Sequence, residues 1–429
     1  MSRRLSFLFA LILILLAAGL RLWDITTLPA GFSADEITNI RITEAVRGGQ
    51  IGVFYDLGDD GREGLYHISL AMITTVIGHG NLGYRLVSVG AGLISLALVY
   101  AVGLRLFGRL AALSAVALMS FGMYPVLLSR QITPAAFLPM LTGAVLLTLI
   151  SALPAYRRRR VRGANTTIFA ALGLFVGLGV YIHPAGLMVA LGALVFVIYI
   201  NRFSTTVVSQ RRTRYIRFAL LMMLIIIVPY LTSSIRQTEI NGLARLFDGD
   251  AFTLRNIGDS LAAVILIGDA KPLNNLPQRP LIDPVSIALM LLAFGYSLRR
   301  WHRPRYMILP LMILTLLPVA IFSTPDADFG AYAALLPLLY LMAGFGISLV
   351  IYLLPQRIMV VGVIALLGLV GVNFVWTASD IWVRWQESPE VQQAYHAELG
   401  QLAHFIDTNH DNSMVVCGWE PEQAPNSAE

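Results

Sequence analysis

Residues 135–182 read AAFLPMLTGAVLLTLISALPAYRRRRVRGANTTIFAALGLFVGLGVYI, two apolar runs (135–153 and 166–182) separated by Arg157, Arg158, Arg159, Arg160 and Arg162. A helix needs about 20 apolar residues to cross roughly 30 Å of hydrocarbon. Loops rich in arginine and lysine stay on the cytoplasmic side. The stretch is therefore expected to be a pair of transmembrane helices joined in the cytoplasm. A second cluster, Arg202, Arg211, Arg212 and Arg214, follows the next apolar run, 185–201, and belongs on the same side.

The rest of the chain agrees with this reading. Of 429 residues, 13% are charged and 57% hydrophobic, against roughly 25% charged in soluble domains; mean hydropathy is +0.71. The formal charge of +6 does not point to nucleic acid, because the arginines lie in short clusters between apolar runs. One cysteine, Cys417, excludes an internal disulfide, and no Cys/His cluster has zinc spacing.

Further apolar runs cover 5–22, 86–104, 111–128, 216–233, 284–298, 306–322, 331–353 and 357–376. The run 65–78 is short. With Arg3 and Arg4 inside, the Arg157 cluster must lie an even number of crossings from the N-terminus, and counting 65–78 as a span gives an odd number. Left as an interfacial or re-entrant helix, it lets Arg105, Arg109, Arg299 to Arg305 and Arg357 also fall inside. The expectation is an all-α polytopic protein of about eleven transmembrane helices in a cell (plasma or inner) membrane. Its N-terminus is cytoplasmic and its C-terminus extracytoplasmic, with outer loops at 23–84, 236–283 and 323–330. Residues 1–376 form the membrane domain, and 377–429 a short exterior segment, either truncated or a cap on the outer loops. The segment 5–20 also carries Ala17-Ala18-Gly19, so a cleaved signal peptide is the alternative to a retained anchor.

In the first outer loop, Ala34-Asp35-Glu36-Ile37 opens a helical pattern through Val46 that ends at Gly48-Gly49. Residues 56–61, with Asp56, Asp59 and Asp60, read as a solvated turn lacking the full calcium-loop spacing. Proline and asparagine in 268–280 favour an extended or turning backbone. Ser388-Pro389-Glu390 starts a helix carrying Val391, Tyr395, Leu399, Leu402 and Phe405-Ile406 on one side, and Met414 to Trp419 is a strand candidate. Asp35 and Glu36 sit near the outer membrane surface, where a carboxylate can act as general base on an acceptor hydroxyl. The competing reading is an acidic first turn favoured by the helix dipole.

The order of short motifs carries a resemblance. Asp35-Glu36 follows the first span, Arg62-Glu63-Gly64-Leu65-Tyr66 enters the interfacial helix, and Arg85-Leu86 opens the next span. Then come Leu106-Phe107-Gly108-Arg109, Ser129-Arg130, His183-Pro184-Ala185-Gly186, and Asn275-Leu276-Pro277 before Pro280-Leu281-Ile282-Asp283-Pro284. This resembles the GT-C glycosyltransferases of the protein mannosyltransferase and aminoarabinose-transferase superfamily, bacterial members included, over most of 1–376. The resemblance implies a GT-C-like bundle that transfers a sugar from a polyprenyl-phosphate donor to a glycan, lipid or protein acceptor on the extracytoplasmic face, inverting the anomeric centre.

It also implies that Asp35 is the base, with Glu36 positioning it or the acceptor. A phosphate leaving group needs positive charge. Arg62 stands where the family has a lysine before two prolines and is the first candidate for the donor phosphate, its alternative being a snorkelling arginine. Lys271, Arg279 and Arg130 are further candidates for the phosphate; Arg130 otherwise pairs with a loop carboxylate. Tyr66, His67 and His183 are candidates for substrate contact, the histidines otherwise bonding helix ends. Where some relatives carry a second acid after Thr-Pro, this chain has Ile132-Thr133-Pro134-Ala135, so no obligatory metal is expected. The rival classes are a transporter or flippase of lipid-linked sugars, which needs ionisable groups along a central path, and a catalytically silent envelope scaffold.

Overall fold

The computed structural model describes residues 2–55, 62–153, 165–204, 210–236, 250, 252–269, 271–276, 279–323 and 328–408. The 56–61 turn, the Arg157–Arg162 cluster and the Met414–Trp419 strand candidate lie outside the described residues.

The fold is a helical bundle. Helix α1 (Arg3–Leu22) begins where the Ser2 hydroxyl accepts from the Leu5 amide at 3.2 Å. Helix α2 (Ala34–Arg47) lies in the first long loop. A two-residue ladder, β1 (Phe54–Tyr55) antiparallel to β2 (Arg62–Glu63), leads into α3 (Gly64–Ile77). At 1.5 Å per residue its 14 residues span about 21 Å, short of the roughly 30 Å hydrocarbon core.

Then follow α4 (Asn81–Leu106), α5 (Arg109–Ser120), α6 (Met123–Leu128), α7 (Leu138–Ala152), α8 (Thr166–Leu178), α9 (Gly186–Arg202) and α10 (Gln210–Arg236). The remainder comprises α11 (Leu254–Ala262), α12 (Pro284–Arg299), α13 (Pro304–Phe322), α14 (Leu336–Leu353), α15 (Met359–Ser379), α16 (Pro389–Ala394) and α17 (Ala397–Thr408). Helices occupy each of the eleven expected apolar stretches. Among the described residues, seven are by themselves long and apolar enough to cross a membrane.

Helix α14 is the centre of the bundle, with 89% of its apolar window buried. Small residues let its neighbours come close: a side chain at Gly344 would strike the Ala111 carbonyl oxygen at 2.5 Å, and one at Gly346 the Leu289 carbonyl oxygen at 2.0 Å. Helix α15 is the opposite case, with 6% of its window buried, and leaves its apolar side chains for lipid.

The segment after α15 packs across the loops at one end of the bundle. Trp385 and Tyr395 are fully buried with Leu28, Val126 and Leu127, and the Trp385 indole donates to the Pro272 carbonyl at 2.8 Å. One continuous helix was expected after Ser388. Instead the chain breaks between α16 and α17, with His396 at φ 48°. The break lies where the Tyr395 and His396 carbonyls press on Gly31, so closely that a side chain there would come within 2.2 Å of the Tyr395 oxygen. As a result Leu399, Phe405 and Ile406 are exposed while Val391 and Tyr395 are buried.

Candidate functional site

Helix α2 starts with a capping box: the Ser33 hydroxyl accepts from the Glu36 amide at 3.3 Å, and Glu36 Oε2 accepts from the Ser33 amide at 3.1 Å. The two adjacent acids therefore point to different places. Glu36 is 2% exposed, and its Oε1 accepts from the Ile132 amide at 2.8 Å. Burial pushes its carboxyl up, while the Arg85 charge and the two amide donors pull it down. The Asp35 side chain is 64% exposed.

Arg62 reaches Asp35 from the ladder, with Tyr55 opposite it in the β1–β2 register. Its Nη2 lies 2.7 Å from Asp35 Oδ1, and its side chain is 16% exposed. The turn into α3 needs Gly64, whose amide donates to the Val53 carbonyl at 2.8 Å and where a side chain would sit 2.2 Å from the Gly52 oxygen. The pair combines a solvent-facing carboxylate, able to take a proton, with a cation able to hold an anion.

Beneath the pair lies a buried polar chain. Asn39, 0% exposed, donates from Nδ2 to the Ile132 carbonyl at 2.7 Å. Its Oδ1 is 3.0 Å from Nε2 of His67, which is also fully buried. His67 Nδ1 lies 2.9 Å from the Glu63 carbonyl. Next to it, the Glu63 carboxylate accepts from the Tyr230 hydroxyl at 3.5 Å.

The other sequence candidates are placed elsewhere. Tyr66 is fully buried, edge-on to Phe137 with centroids 5.1 Å apart. Arg130 is buried and donates to the carbonyls of Arg21 (2.9 Å), Trp23 (2.8 Å), Asp24 (3.0 Å) and Leu28 (2.8 Å); burial pulls its pKa down to about 10. Arg279 is buried between Asp380, with which it makes a salt bridge, and Trp376, whose ring centroid is 4.4 Å from the guanidinium carbon; burial lowers its pKa. Lys271 pairs with Asp328 at 2.8 Å, beside buried Asp269, whose carboxyl burial pushes up to about 6. The His183 Nδ1 accepts from the Ala185 amide at 3.1 Å, just before α9. Among the described residues, no three His, Cys, Asp or Glu side chains gather as a metal cluster.

Two features carried too little signal in the sequence. Asn39 reads as an ordinary helix polar residue, although the Ser33-x-x-Glu36 spacing marks the buried face on which it lies. Arg21 and Arg85 join Arg130 as buried arginines. Arg85 donates to the carbonyls of Ile25 (2.8 Å), Pro29 (3.1 Å) and Gly31 (2.7 Å). Arg21 donates to Ser129 Oγ (3.2 Å) and the Ser120 carbonyl (3.0 Å). Together they fasten the segment that leads from α1 to α2.

Residues 65–232 match the family model described as dolichyl-phosphate-mannose-protein mannosyltransferase. A comparison with curated proteins finds no match. Among solved structures, ArnT from Cupriavidus metallidurans bound to undecaprenyl phosphate aligns over 95% of this chain and 80% of its own, with a TM-score of 0.60 and 14% identity. An Archaeoglobus fulgidus oligosaccharyltransferase in complex with zinc and sulfate aligns over 87% of this chain, with a TM-score of 0.60 and 12% identity. The archaeal oligosaccharyltransferase AglB from the same organism, in complex with an inhibitory peptide and a dolichol-phosphate, aligns over 90%, with a TM-score of 0.56 and 10% identity. The chain spans 53% and 56% of those two archaeal chains. At such identities the likeness is one of fold. The chain thus matches the mannosyltransferase family model over residues 65–232 and shares the fold of ArnT and of the archaeal oligosaccharyltransferases.

Proposed function

We propose that the protein transfers one sugar from a polyprenyl-phosphate carrier to a glycan, lipid or protein hydroxyl at the extracytoplasmic membrane face, inverting the anomeric carbon. The observation that carries this reading is the Asp35–Arg62 pair, 2.7 Å apart, where the start of α2 meets the strand that leads into the 14-residue helix α3. A neighbour of the same fold is bound to undecaprenyl phosphate, which supports a lipid-phosphate donor here. Arg62 receives the donor phosphate, whose arrival gives the guanidinium a second anion and turns Asp35 to the acceptor. Asp35 then takes the acceptor proton as the acceptor oxygen bonds to the anomeric carbon. The bond from that carbon to the phosphate oxygen breaks, and polyprenyl phosphate leaves on the opposite face, its charge held by Arg62. The N-terminus and the arginine-rich loops are cytoplasmic in this scheme.

The test uses the full chain in vesicles with a panel of undecaprenyl-phosphate-linked hexoses and pentoses and envelope acceptors. Asp35→Asn should lower transfer by about 10²–10⁴-fold and leave undecaprenyl phosphate binding intact, whereas Arg62→Met should weaken that binding. Full turnover by Asp35→Asn overturns the assignment of the base. Carrier lipid crossing leaflets with no sugar on an acceptor moves the protein to the flippase class.

A further inference from the structure

We infer that Asn39 and His67 are positioning residues, a buried clasp that holds the Asp35 end of α2 in register with the Arg62 strand. The inference rests on the reading of Asp35 and Arg62 as the reacting pair. The two residues come from separate elements, α2 and β2, and a single solvent-exposed ion pair contributes about 0–1 kcal/mol, too little to fix their separation.

The clasp supplies what the ion pair lacks. Helix α2 grips the Ile132 peptide on both sides: Glu36 takes its amide at 2.8 Å, and Asn39, nearly one turn later, donates to its carbonyl at 2.7 Å. Because the Ile132 carbonyl takes the Asn39 amide group, Asn39 Oδ1 is left facing His67 at 3.0 Å. Burial lowers the His67 pKa to about 4, so the ring is neutral with a single N–H; with that proton on Nε2 it donates to Asn39 Oδ1, and the first turn of α3 joins His67 to Glu63, the residue after Arg62. A continuous path therefore runs from Asp35 down one turn of α2 to Asn39, across to His67, and up to the strand that carries Arg62. Asn39 and His67 are both 0% exposed, and polar contacts in such surroundings hold geometry more firmly than contacts in water.

If the path fixes the reacting geometry, breaking it displaces the pair without removing it. A displacement of about 1 Å at a reacting centre costs on the order of 100-fold in rate. The expected result for Asn39→Ala and His67→Phe is a kcat about 100-fold lower, with undecaprenyl phosphate affinity changed less than about threefold, a split set by reacting geometry rather than by binding. The double variant should lose no more than either single one, since the two act as one chain. His67→Gln, whose amide can still reach Asn39, should recover most of the loss.

A second measurement does not depend on turnover. In a Cys417→Ser background carrying Asp35→Cys and Arg62→Cys, the ion pair is gone, and the clasp sets the separation at this end of α2 while Ile42, Val46 and Ala71 pack the rest of α2 against α3. A short thiol-specific cross-linker should join the two positions rapidly, and adding Asn39→Ala or His67→Phe should slow it at least tenfold. Unchanged cross-linking overturns the proposal. So does lower yield and melting temperature with unaltered kcat in the folded fraction, which is the mark of a merely structural role. If Asp35→Asn keeps full activity, it is the functional reading that fails, and the cross-linking result still decides whether the clasp exists.

Discussion

Glu36 commits both carboxylate oxygens to backbone amides inside the protein, so its removal is a question of stability. Glu36→Ala leaves the Ser33 and Ile132 amides buried without acceptors. The expected loss is about 2–4 kcal/mol, seen as a lower melting temperature in detergent, with Glu36→Gln intermediate. Asp269 gives a pH signature. Its carboxyl is raised from 3.8 to about 6 by burial, so the folded state binds the proton more tightly than the unfolded chain. Its contribution is present in full below about pH 4 and is lost as pH rises through about 6. Thermal stability should therefore fall between those limits, and Asp269→Asn should flatten that slope. Asp35 and Glu36 look alike as neighbours in the sequence. The Ser33 three residues before Glu36 is what separates them, because a capping box requires the acid at that position to fold back. The buried arginines could not be read at all, because their partners are main-chain carbonyls remote in sequence, which have no residue identity to recognise.

Helix existence was legible because each apolar run is long and bounded by charge or glycine, and α3 was set apart by its short run together with the even number of crossings that the arginine clusters require. The junction before α3 was not legible in the same way. Glu63-Gly64 stand where the family that the sequence resembles carries two prolines, and the geometry here is a short ladder closed by a glycine that no side chain fits. Gly64→Ala should force the Gly52 and Val53 backbone apart and swing Arg62 off Asp35. The expected cost is about 1–3 kcal/mol, with undecaprenyl phosphate affinity falling alongside it, in contrast to the unchanged affinity expected for the Asn39 and His67 variants. The break at His396 was invisible for another reason. Its surroundings come from Gly31, more than three hundred residues earlier, and local periodicity carries no trace of that contact.

At the scale of the molecule, the chain after α15 covers loops contributed by the first, middle and last parts of the sequence. Gln131 donates to the Leu273 carbonyl at 2.6 Å and to the Tyr395 hydroxyl at 3.1 Å, beside Trp385. Trp385→Ala should cost about 3–5 kcal/mol and expose the 268–276 segment to protease before any membrane helix is lost, which limited proteolysis with mass mapping would detect. The buried arginines bear on how the protein is made. Arg21 closes α1, yet its contacts on Ser120 and Ser129 lie 99 and 108 residues further along the chain, and Arg130 returns to the Arg21 carbonyl across 109. During synthesis the Arg21 guanidinium has only the Ala17 carbonyl of its own helix to bond until α4, α5 and α6 have left the ribosome. Nascent chains stopped before residue 120 should hold α1 loosely, and chains extended far enough past 130 for Arg130 to clear the ribosome should lock it, so maturation proceeds by a delayed latch rather than helix by helix.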